Sequence, residues 1–137
     1  MIELMHWETL RPLERTRLIR QLRPARAAVD PWRPQGFHHE LERAPDGRLE
    51  RVNVIFLTNR ECPWTCTMCD LWQHTTIAPV SATQLLHQLD HALMQLPKAD
   101  AVKLYNSGSF FDRLAIPPAA YAGIAERVRA CRRVIVE

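Results

Sequence analysis

The chain predicts an α/β fold built on a parallel sheet, and three observations carry that expectation. Residues 52–58 (VNVIFLT), 101–105 (AVKLY) and 134–136 (VIV) are short, nearly continuous apolar runs, as strands covered on both faces are. The segments between them repeat apolar residues at helical spacing. The resulting order of strand, helix, strand, helix, strand suits right-handed crossovers. At 137 residues, 47% apolar and 24% charged, the chain is long enough to bury a real core as one domain. The same composition excludes a collagen, a coiled coil and a highly charged disordered tail.

From the N-terminus, Thr9 to Arg23 reads as a helix with apolar Leu10, Leu13, Leu18, Ile19 and Leu22, stopped by Pro24. Pro24, Pro31 and Pro34 punctuate the next stretch, and Trp32 and Phe37 are available to pin it onto a core. A hairpin comes next: HHELER, the turn Ala44-Pro45-Asp46-Gly47, then RLERV. Asp-Gly supplies the positive φ angles of a tight turn. Residues 1–50 thus read as a helical and hairpin extension, and residues 51–137 as the core.

Within that core, Val52 to Thr58 is the first strand of the parallel sheet and a cysteine loop follows it. Ser81 to Leu96 carries apolar residues at 85, 86, 89, 92, 93 and 96. Ser81 and Gln84 have capping-box spacing, and Pro97 closes the helix. Ala101 to Tyr105 is the second strand, followed by the loop NSGSFFDRLAIPP. Pro117-Pro118 opens a helix with Ala120, Tyr121, Ile124, Val128 and Cys131 on one side, and Val134 to Val136 begins a third strand. A buried-looking strand at Glu137 would leave an unpaired apolar edge. The expectation is a fragment, or one half of a larger barrel.

No apolar run approaches the roughly 20 residues of a membrane helix. The start, MIELMHWETLRPLERTRLIR, lacks the apolar stretch of a secretory signal. A cytoplasmic location with no membrane partner is the expectation. The net charge is +3, and residues 11–26 hold six arginines against the single acid Glu14. Such a stretch either meets RNA phosphate through guanidinium forks or, more commonly, forms the solvated face of a helix.

Cysteines stand at 62, 66, 69 and 131, three of them inside eight residues. A disulfide scaffold would spread them along the chain, so clustering points to ligands. The segment NRECPWTCTMCD spaces Cys62, Cys66 and Cys69 as C-x3-C-x2-C directly after a buried strand. Three thiolates can each hold one iron of a cubane cluster, leaving the fourth iron open. The C-terminal ends of parallel strands are also where such folds bind ligands.

This loop and its strand context resemble the signature of the radical S-adenosylmethionine (SAM) superfamily over residues 52–137. The resemblance implies a partial (β/α) TIM-like barrel with Cys62, Cys66 and Cys69 ligating a [4Fe-4S] cluster. It implies that SAM chelates the open iron and is cleaved, after one-electron reduction, to methionine and a 5′-deoxyadenosyl radical that abstracts hydrogen from a substrate. An external electron donor of flavodoxin or ferredoxin type goes with it. Where the family often has an aromatic residue packing near adenine, this chain has Met68, whose thioether also fills apolar space. Where many members bind the methionine amine with a Gly-Gly-Glu-like segment, this chain has Asn106, Ser107, Gly108 and Ser109, without a glutamate. Gly108 permits close backbone approach, and its neighbours offer oxygens. A narrower likeness of TNRECPWTCTMCDLW and KLYNSGSFF is to radical SAM proteins near the archaeosine synthase β-subunit and the elongator catalytic subunit. Both act on tRNA, a substrate the arginine-rich start would suit.

The rival reading is a structural zinc site in a non-catalytic interaction module, using Cys62, Cys66, Cys69 and His74. Structural zinc usually staples separated ligand pairs, which this loop lacks. His38 and His39 would point to opposite faces of a strand. His87 and His91 have metal-binding spacing without a third ligand and read as a polar helix face. Cys131 reads as a packed thiol. Trp64 and Trp72 flank the loop and either shield it or serve ordinary packing, and Asp70 and Asp112 either meet substrate or SAM or are acids of the kind that surface loops commonly hold.

Overall fold

A computed structural model of the chain describes residues 7–137. Strands β1 (Gly36–Arg43), β2 (Leu49–Phe56), β3 (Ala101–Tyr105) and β4 (Arg133–Val136) form one open sheet in the order β1-β2-β3-β4. The pairs β2·β3 and β3·β4 are parallel, with Ile55 opposite Leu104 and Val102 opposite Val134. Helices α2 (Ala82–Leu93) and α3 (Tyr121–Val128) are the two crossovers, and α1 (Pro12–Leu22) precedes the sheet. The α/β class is therefore present; the sheet is open and mixed, and no closed barrel is formed among the described residues. No helix among them is long and apolar enough to cross a membrane.

The hairpin is where the sequence reading needs correction. Its second strand and the first strand of the parallel sheet are one continuous element, β2, so β1 pairs antiparallel along its whole length, from Gly36↔Phe56 to Arg43↔Leu49. The turn forms as expected, with Gly47 at φ +86° and its N–H donating to Ala44 O (2.8 Å). The polar first half of β2 hides its continuity with the buried half.

One face of the sheet packs on α2 and α3 through Ile55, Leu57, Leu85, Leu89, Val102, Leu104 and Ile124. The sequence predicts a cover on the opposite face too. Val52 and Val54 are buried there, but among the described residues no helix side chain belongs to their cluster. Long side chains of the sheet cover them instead: Lys103 pairs with Glu42, and Arg133 with Glu50. Phe56 stays 38% exposed beside Tyr105.

Helix boundaries follow from their caps. Ser81 Oγ accepts the Gln84 N–H (3.1 Å) and Gln84 Oε1 accepts the Ser81 N–H (2.8 Å), closing the box at the start of α2. That helix ends at Leu93, three residues short of the apolar stripe. At Pro117-Pro118 a 3₁₀ turn over Pro118–Ala120 comes first, and α3 begins at Tyr121. Pro12 starts α1 three residues later than the periodicity suggests, and α1 buries no residue fully.

Candidate metal and cofactor site

Beyond Phe56 the chain leaves the sheet but stays buried through Leu57, Thr58 and Asn59. Buried Gln88 of α2 makes this possible: its Oε1 accepts the Thr58 N–H (2.8 Å), and its amide donates to Thr58 O (2.9 Å) and Pro31 O (2.7 Å). The backbone groups lost from the sheet are thereby satisfied by a side chain. Asn59 does the same for the loop after β3, accepting the Ser107 N–H (3.1 Å) and donating to Ser107 O (2.9 Å). The loops after the first two parallel strands are thus tied edge to edge.

The cysteine loop leaves and returns through a narrow neck. Thr76 N donates to Asn59 O (3.0 Å) and Glu61 N to Thr76 O (3.3 Å). Across that neck lies the arm that continues from α1. Arg23 and Arg26 each pair with one oxygen of Glu61, whose side chain is 13% exposed. Arg26 also donates to Trp72 O (2.7 Å) and Thr75 Oγ1 (2.6 Å), while the Arg23 guanidinium lies 4.5 Å from the centroid of the buried Trp72 ring. Burial pushes the Glu61 carboxyl up, but the two guanidiniums outweigh it and hold the group below the ordinary carboxylate range.

The three cysteines sit on the span this strap closes. Cys62 and Cys69 are half-buried, Cys66 is exposed, and all three are free thiols. Cys66 and Cys69 share a turn, with Cys69 N donating to Cys66 O (3.2 Å). Cys62 lies against Gly108, where φ is +90° and a Cβ would meet Cys62 Sγ at 3.1 Å. Among the described residues no three His, Cys, Asp or Glu side chains are grouped to hold a metal ion. Three thiols match an iron–sulfur group in kind and number of donors, but the structure does not bring them together.

Beside the loop, at the C-terminal ends of β2 and β3, is a cavity of about 360 Å³ walled by Phe56, Leu71, Tyr105, Asn106 and Ser107. Its size and apolar walls suit a small cofactor. Gln35, Asn59, His74 and Glu137 line it too, and Asn106 stands out by its bonding: its amide donates weakly to Ser107 O (3.3 Å) and Gly108 O (3.4 Å), while Oδ1 is buried without a partner. An unpaired buried acceptor is costly, and an ammonium would satisfy it. Ser109 Oγ is occupied by the Phe111 N–H (3.2 Å). Met68 is 86% exposed and Trp64 76% exposed, so in this conformation neither covers the loop.

The remaining sequence candidates are placed elsewhere. His74 lines the Asn106 cavity, whereas Cys62 lines a separate cleft. His38 stacks towards Phe56 and His39 bonds Asn53 Oδ1 (2.7 Å), on opposite faces of β1. His87 meets Trp32 O (3.0 Å) and His91 meets Arg33, so both hold the proline-rich arm on α2. Cys131 is packed against the core, where burial raises its thiol pKa. The Glu61 strap and Gln88 escape the sequence reading; only the charge of Glu61 beside Cys62 hints at the former. Comparison with protein-family models, with curated proteins and with solved structures finds no match for this chain.

Proposed function

We propose that this chain is the cluster- and SAM-binding part of a radical SAM enzyme. One observation carries the reading: a C-x3-C-x2-C loop of free thiols emerges at the C-terminal end of the first parallel strand, tied by Asn59 to the loop after the second. Substrates and cofactors of α/β sheets gather at that edge. In this reading the thiolates of Cys62, Cys66 and Cys69 hold the [4Fe-4S] cluster. Asn106 Oδ1, flanked by Ser107, Gly108 and Ser109, receives the SAM ammonium, and Met68 folds towards adenine when the loop gathers. When bound, the group supplies one-electron reductive cleavage of SAM for hydrogen abstraction from a substrate. The electron comes from an external flavodoxin- or ferredoxin-like donor. The chain's own residues orient the cofactor and exclude water from the Phe56–Tyr105 wall.

The zinc-module reading gains no comparable support, since His74 and Cys62 face different cavities. The test is anaerobic reconstitution with iron and sulfide, then EPR of the dithionite-reduced protein with and without SAM. A reduced cubane signal that shifts with SAM and is lost in Cys62→Ala, Cys66→Ala and Cys69→Ala is expected. An EPR-silent protein holding one tight zinc would overturn the proposal.

A further inference from the structure

The cleft on the other side of Cys62 has a different chemistry from the Asn106 cavity. Its volume is about 390 Å³, and three arginines line it: Arg20 from α1, Arg26 from the arm, whose guanidinium is held by Glu61, Trp72 O and Thr75 Oγ1, and Arg60 from the neck of the cysteine loop. Glu61 and Asp112 also line it. Both oxygens of Glu61 are already engaged by Arg23 and Arg26, and Asp112 Oδ1 accepts the Leu114 N–H (3.0 Å). The side chains of Arg20 and Arg60 have no hydrogen-bond or ion-pair partner among the described residues, although Arg60 is half-buried. With Glu61 taken up by Arg23 and Arg26, the guanidiniums of Arg20 and Arg60 are left without a carboxylate partner among the described residues, and guanidinium forks match the oxygens of a phosphate. Exposed Ile77 and Leu114 stand beside these arginines with Pro63. The site therefore offers two unpaired arginine side chains and an apolar wall, and its volume exceeds that of a bare phosphate.

We infer that this cleft binds the phosphate of a nucleotide, free or within a strand, and so places a phosphate-bearing substrate next to the cysteine loop. Arg60 and Arg20 grip the phosphate oxygens, and Ile77 and Leu114 carry the attached nucleoside. The binding site itself is complete without a metal, so it stands or falls separately from the cluster reading.

Calorimetric titration of the full chain tests it with inorganic phosphate, a nucleoside 5′-monophosphate and a short single-stranded oligoribonucleotide. The monophosphate is expected to bind more tightly than inorganic phosphate. Arg60→Gln and Arg20→Gln should each weaken it by about tenfold, the loss of one charge-assisted contact. The same loss should appear in a chain carrying all three cysteine-to-alanine changes. Tighter binding of the oligoribonucleotide, with the same arginine dependence, would assign the phosphate to a strand; equal binding would assign it to a free nucleotide. Arg129→Gln, an exposed arginine at the C-terminal end of α3 paired with Glu126, removes the same charge elsewhere and should leave binding unchanged. Equal weakening by Arg129→Gln would overturn the site, as would no binding of any phosphate probe. Loss of SAM binding, with nucleotide binding intact, in the Arg20 and Arg60 variants would assign the cleft to a carboxylate and overturn it too.

Discussion

Between the sheet and its two covering helices, Ile55, Leu85, Leu89, Leu104 and Ile116 are fully buried and belong to one contiguous apolar cluster. Along the cysteine loop from 60 to 76, only Trp72 and Thr75 are buried. The first region is held by apolar area shared among many side chains. The second is held by a few directional contacts: Glu61 with two arginines, Asn59 with Ser107, and two backbone bonds at the neck. Losing any one core contact weakens the whole fold, because packing is cooperative. Losing one strap contact frees a loop and leaves the sheet standing. A loop held this way can rearrange to gather three sulfurs without disturbing the strands that present it.

The largest expected effect belongs to the core. Leu89→Ala should cost about 2–5 kcal/mol of global stability, the range for deleting a buried leucine side chain. Urea unfolding would read this as a lowered midpoint. In the folded variant, alkylation of the loop thiols should proceed at the wild-type rate. If thiol reactivity rises instead, the two regions are one cooperative unit and the contrast fails.

Glu61→Gln reverses the pattern. It removes the charge from a largely buried site shared by two guanidiniums and should cost about 2 kcal/mol locally. Amide exchange should accelerate across residues 60–76 and the arm, but not in β3. Alkylation of Cys62, Cys66 and Cys69 should quicken. Unchanged exchange in that span would mean that Trp72 under Arg23, not the carboxylate, closes the neck.

Gly108→Ala acts where the two strand-end loops touch. A side chain there is strained at φ +90°, and its Cβ would lie 3.0 Å from Cys62 Cβ. The expected cost is about 1–2 kcal/mol. Since the contact, unlike the backbone strain, is relieved by moving Cys62, iron taken up per chain on reconstitution should fall more than stability does. Full uptake in this variant would show that Cys62 has room to shift.

The same contrast explains what could be read from the sequence. The strands and α2 are legible because burial imposes a period, and Ser81 with Gln84 marks the cap. The C-x3-C-x2-C spacing is legible because its three cysteines lie within eight residues of one another. Strand β1 is not placed in the sheet by its residues, because HHELER has the polarity of an edge and says nothing of its partner. The strap is invisible: Arg23 and Arg26 meet Glu61 across 38 and 35 residues, and no local pattern encodes such a pair. Gln88 is hidden within an apolar stripe, where its amide stands in for a strand that has ended.

The smallest effect lies at the opposite end of the sheet, and it gives the contrast a pH dependence. Asp100 ties the N-terminal ends of the parallel strands together: its N–H donates to Arg51 O (2.9 Å), and its carbonyl accepts the Arg132 N–H (2.8 Å). Its carboxylate accepts from the Arg51 guanidinium (3.0 Å) and the Arg51 N–H (3.1 Å). Those bonds hold the carboxyl at about 2, below its ordinary 3.8. Between these values the unfolded chain binds more protons than the folded one, so stability rises with pH and is level above about 4. Acidification from pH 4 to 2 should therefore remove what the pair contributes, and Asp100→Asn should remove it at every pH. The difference between wild-type and Asp100→Asn urea midpoints should be constant from pH 7 to 5 and shrink towards pH 2. Both groups are partly exposed and screened by salt, so the difference is small. A gap that persists at pH 2 would mean that the Asn variant disturbs the strand ends themselves. Loop alkylation should not follow this titration, because the carboxylate lies at the other end of the strands from the cysteines.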